Sequence, residues 1–66
     1  MTMDELERRV QEIEAMKGDD EAAHSAEDAL YADFIRYVST LPDQALAIKA
    51  AIVLKTEKID FARWCA

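Results

Sequence analysis

Cysteine, glycine and proline each occur only once in this sequence of 66 residues. With Cys65 alone, no disulfide can close within the chain. Secreted domains of this size usually rely on several such staples, so the composition points to a reducing, cytoplasmic setting. One glycine and one proline are too few for a β-rich fold, which needs turn residues about every 8–12 positions. No Gly-rich phosphate loop is present. The N-terminus is charged from Asp4 onward, with no apolar stretch before a small-residue cleavage site, and does not read as a signal peptide. The longest apolar run, Ala45–Leu54, is interrupted by Lys49 and reaches about half the length of a membrane span. No membrane partner is expected. The length admits one domain over 1–66, too short for a two-domain enzyme and thin in stability.

What is abundant is apolar side chains, 52% of the chain, and acid. Fourteen Asp and Glu against eight Lys and Arg give a net charge of −6. The charge is uneven: residues 1–33 carry eleven acids and three bases (−8), and residues 34–66 carry three acids and five bases (+2). An acidic front half repels phosphate, so direct nucleic-acid binding is not expected. It suits a basic protein surface instead. The plainer reading is that acidic faces keep a small apolar domain soluble.

Periodicity predicts helices. Thr2-Met3-Asp4-Glu5 fits a capping box, and Met3, Leu6, Val10 and Ile13 follow at steps of three, four and three. Glu5 is placed to pair with Arg8 and Arg9. Gly18 suits a left-handed cap, so a first helix should span about 3–17. Asp19 or Asp20 can cap a second helix over about 20–39, and Ser25-Ala26-Glu27-Asp28 offers a later start. Leu30, Tyr31, Phe34, Ile35, Tyr37 and Val38 leave Asp33 and Arg36 on the opposite side. Pro42 suits the first turn of a third helix over about 42–55. That helix is apolar nearly all round, which predicts a central element sheathed by the others, with no room beside it for an active-site cavity. A short fourth helix or turn is expected at 60–65. The fold class is all-α, a small three-helix domain with that fourth piece, and surplus apolar content makes a homodimer a reasonable expectation.

The residues that could carry chemistry lie mostly in Glu21–Asp28. On a helix, His24 and Glu27 share a side with Tyr31, Phe34 and Val38. Glu and His three apart is a spacing used in metal-binding bundles, but those draw further ligands from facing helices, and this chain has one His. The simpler reading pairs His24 with Glu27, Asp28 or a backbone carbonyl. Cys65 with His24 and an acid could be drawn as a thiol centre, yet Cys65 is one residue from the terminus and nothing marks a pocket. No catalytic, cofactor or metal site is assigned, and the chain is not expected to be an enzyme. Phe61, Arg63 and Trp64 are of types that anchor interfaces and equally of types that close small cores. The candidate partner-binding residues are therefore Asp20, Glu21, His24, Glu27, Asp28, Tyr31, Arg63 and Trp64.

Two stretches carry a resemblance. Glu21–Tyr31, with the pattern EAAHSxED, and the terminal Ile59–Ala66, with IDFxRWCA, resemble short acidic proteins of bacteriophage and prophage genomes. The resemblance brings no assigned catalytic or binding residue. It implies a phage-encoded protein acting in a bacterial cytoplasm. By analogy with small acidic phage proteins such as anti-CRISPR inhibitors, it implies one that binds and modulates a host or defence protein. The alternative is a structural or assembly subunit of a phage particle.

Overall fold

A computed structural model describes residues 1–59. Three α-helices, α1 (Met3–Ala15), α2 (Asp20–Val38) and α3 (Gln44–Leu54), are followed by a 3₁₀ turn at Lys55–Lys58. The fold is all-α, as the periodicity predicts. The predicted helix at 60–65 lies outside the described residues, as do Arg63, Trp64 and Cys65.

Each α-helix starts on a polar side chain that takes up a backbone donor otherwise left without a partner. The Thr2 hydroxyl accepts from the Glu5 N–H at 3.1 Å, the Asp19 carboxylate from Ala22 N–H at 3.1 Å, and Asp43 from Leu46 N–H at 3.1 Å. The later start at Ser25 is not used, because Asp19 has already capped α2 and the helix runs through it. The capping box of α1 is half made. The Glu5 carboxylate takes the Thr2 hydroxyl at 3.5 Å and not the Thr2 N–H. Pro42 stands just before the cap and outside α3, since the Asp43 carboxylate caps a helix that starts at Gln44, two residues later than expected.

Three local expectations fail along α1. The helix stops at Ala15, where the Met16 N–H turns back to the Ile13 carbonyl, and Gly18 does not enter the left-handed region. The reversal is carried by an Asp19 N–H bond to the Met16 carbonyl at 2.8 Å. Glu5 pairs with neither arginine. Arg8 reaches Glu12 at 3.5 Å instead, and Arg9 crosses to Asp33 of α2 at 2.9 Å.

The larger correction concerns which helix is central. Among the described residues α1 and α3 both pack on α2 and do not touch each other. α2 is therefore the spine, and α3 is a flank. Among the described residues Ala50 is the one buried, at 7% exposure, lying where α3 meets α2. Ile48 and Ile52 stand two residues either side of it, hence on the far side of the helix, and are 60% and 55% exposed. The apolar circumference of α3 gave no direction from which to choose its neighbours, and only one flank found cover.

The result is a slab one helix thick, with extents of 40 × 33 × 9 Å. Its radius of gyration is 13.6 Å, against about 11 Å for a compact chain of this length. No helix among the described residues is long and apolar enough to cross a membrane.

Candidate functional site

The predicted site residues that the structure describes all lie on α2. Asp20, His24, Glu27 and Tyr31 follow at steps of four, three and four, and so form one stripe along the helix. Glu21 and Asp28 are seven apart and line its flank. The structure places five of these six on the N-terminal half of α2, with Tyr31 just past its middle, and the whole of Glu21–Asp28 is helical. Arg63 and Trp64 lie outside the described residues.

His24 is half-exposed, with Nε2 3.6 Å from an Asp28 carboxylate oxygen one turn on. That spacing is an ion-pair contact when the imidazole is protonated and too long for a firm hydrogen bond. The Glu27 carboxylate sits one turn before Tyr31. Its negative charge and its hydrogen bond with the phenol hold the Tyr31 hydroxyl above its ordinary value of 10.0, with desolvation and Asp28 adding in the same direction. Asp20, His24 and Glu27 border an open hollow shared with Ile13 of α1 and Lys17 of the turn that follows it. Among the described residues, no group of three His, Cys, Asp or Glu side chains is placed to hold a metal ion.

The charges at this end are largely unanswered. Arg8, Arg9, Lys17 and Arg36 are each engaged, with Glu12, Asp33, Glu14 and both Asp33 and Glu57 respectively. Among the described residues no lysine or arginine pairs with Asp20, Glu21, Glu27 or Asp28. The arrangement presents a one-signed field beside an exposed phenol ring.

No family model, curated protein or solved structure matches this chain.

The two faces of the slab differ. On one, Arg9, Asp33, Arg36 and Glu57 form a chain of ion pairs that links α1, α2 and the 3₁₀ turn, ending in an Arg36–Glu57 contact of 2.7 Å. On the other, α1 and α2 enclose an apolar hollow of about 350 Å³ between Leu6, Val10, Leu30, Tyr31, Phe34 and Ile35. A second, of about 330 Å³, lies between α2 and α3 and again uses Phe34 and Ile35, with Val38, Leu46, Lys49, Ala50 and Val53. Two shared residues make the hollows one continuous apolar face. Reading α3 as sheathed hid this surface. The signal for it lay in the Leu30–Val38 stripe, which is wider than the narrow stripe of α1 can cover.

Proposed function

We propose that this chain is a small helical protein–protein interaction module whose acidic α2 end docks on a basic surface of a protein partner. The observation that carries the reading is the set of exposed carboxylates at Asp20, Glu21, Glu27 and Asp28, next to Tyr31 and, among the described residues, without a lysine or arginine partner. Opposed charge steers and orients a partner at such a patch, and an amphipathic aromatic ring beside it is a common anchor type at interfaces. The sheathed α3 expected from the sequence, with no room beside it for a cavity, does not occur in this fold. The unneutralised field and the open, shallow hollows support the reading in its place. The phage-like motifs EAAHSxED and IDFxRWCA extend the proposal to a phage-encoded protein that modulates a host or defence protein in a bacterial cytoplasm.

The test compares capture from a bacterial lysate by the wild-type chain and by Glu27→Lys/Asp28→Lys. A partner is expected to be held at about 0.1 M salt, where charges act over about 10 Å, and released toward about 1 M, where they act over about 3 Å. The double variant should not hold it. Equal retention by both proteins, or no retained protein at low salt, contradicts the reading.

Ile48 and Ile52 support a second reading, an assembly subunit of a phage particle. They form an apolar outer edge separate from the apolar face, and two separate contact surfaces permit open-ended association. Solution masses well above that of a dimer, reduced by Ile48→Glu, would favour it.

A further inference from the structure

We infer that His24 is a pH-gated counter-ion built into the acidic end of α2. Protonated, it answers the carboxylates around it and weakens their hold on a cationic partner surface; neutral, it leaves them free to dock. The inference rests on the acidic-end reading and adds its regulation.

The chain has one histidine. On a helix surface the neighbours of a residue stand three and four positions away in either direction. For His24 these are Asp20, Glu21, Glu27 and Asp28, so every neighbouring position on α2 holds a carboxylate. All four are exposed, and the half-exposed imidazole lies among them. Its Nε2 stands 3.6 Å from an Asp28 oxygen, close enough to pair once the ring carries a proton. Across the hollow His24 meets Ile13 and Lys17. The Lys17 ammonium is held by Glu14 at 3.0 Å, so that side brings a cation together with its own anion. The charge balance of the cluster is left to the imidazole.

Imidazole is the side-chain type that ordinarily changes charge between pH 5 and 8. With a neutral ring the four carboxylates carry −4, and with a protonated ring the set carries −3. Asp20 and Glu21 lie in the first turn of α2, where the helix dipole already favours anions. Glu27 and Asp28 lie beyond that turn, and they are the two closest along the helix to Tyr31. A proton on His24 therefore acts where the docking patch meets its aromatic ring. A cationic partner and this proton compete for the same carboxylates, and such competition is reciprocal: binding the partner expels the proton.

The probe is a capped oligolysine peptide, titrated calorimetrically into the purified chain at about 0.1 M salt. The wild type should bind it two- to five-fold more tightly at about pH 8 than at about pH 5.5, roughly the scale of one exposed ion pair. His24→Gln should hold the tighter value at both, and His24→Lys the weaker value at both. Near neutral pH the wild type should release more protons on binding than His24→Gln, read from the dependence of the heat on the buffer's ionisation enthalpy. Helical circular dichroism at each pH checks that the three proteins are equally folded. A pH dependence as steep in His24→Gln as in the wild type overturns the proposal and leaves the acidic-end reading standing. No binding by the wild type or by His24→Gln at the higher pH overturns both.

Discussion

Gly18 shows how much a single residue's conformation decides. A glycine after an amphipathic run suggests a left-handed cap, where a Cβ would be strained. Here Gly18 avoids positive φ, and a Cβ built on it would meet nothing within 4 Å. Gly18→Ala should therefore stabilise the fold by about 0.4–1 kcal/mol, by restricting the unfolded chain. Urea denaturation checks this, and a loss of stability would mean that the residue is left-handed after all. At Tyr31 the determining neighbour is Glu27. A carboxylate one turn away disfavours the phenolate, so the folded protein holds the phenol proton more tightly than the unfolded chain does. The resulting contribution to stability is present below the ordinary value of 10.0 and is lost as pH rises through the higher folded value. In Glu27→Gln, ultraviolet titration should show the Tyr31 transition moving down toward 10.0. An unmoved transition would show that Glu27 does not face the phenol.

At the level of elements, the helix starts are local devices. Asp43→Ala removes the acceptor for Leu46 N–H and should cost about 0.5–2 kcal/mol, with Asp19→Ala in the same range. Thermal melts of the two variants measure it, and a cost near zero would place the start of the helix elsewhere. Because caps and periodicity act within a few residues, the existence of α1, α2 and α3 could be read from Thr2, Asp19 and the Leu30–Val38 stripe. The Asp20–Tyr31 surface was readable for the same reason, since its spacing alone places those side chains together. What could not be read depended on other elements. Arg9 meets Asp33 and Arg36 meets Glu57 only after three helices and a 3₁₀ turn are in place. The position of α3 was hidden because a helix that is apolar all round fits the middle of a bundle or its edge equally well. α1 ends earlier than a glycine cap implies because the Asp19 N–H goes to the Met16 carbonyl and not to the Glu14 carbonyl that a cap at Gly18 would give it.

At the level of the whole molecule, one fact organises the rest: α2 is the spine, α1 and α3 lie on either side, and the slab has one face closed by ion pairs and one apolar face. Surface ion pairs such as those of Arg36 contribute little, up to about 1 kcal/mol each. The fold accordingly depends on the contacts α2 makes with both neighbours. The most direct measurement is amide hydrogen exchange resolved by residue. The slab predicts that amides of α2 around Leu30–Val38 exchange slowest, and that those of α3 around Ile48 and Ile52 exchange faster. Slowest exchange in α3, as in a helix enclosed on all sides, would contradict it.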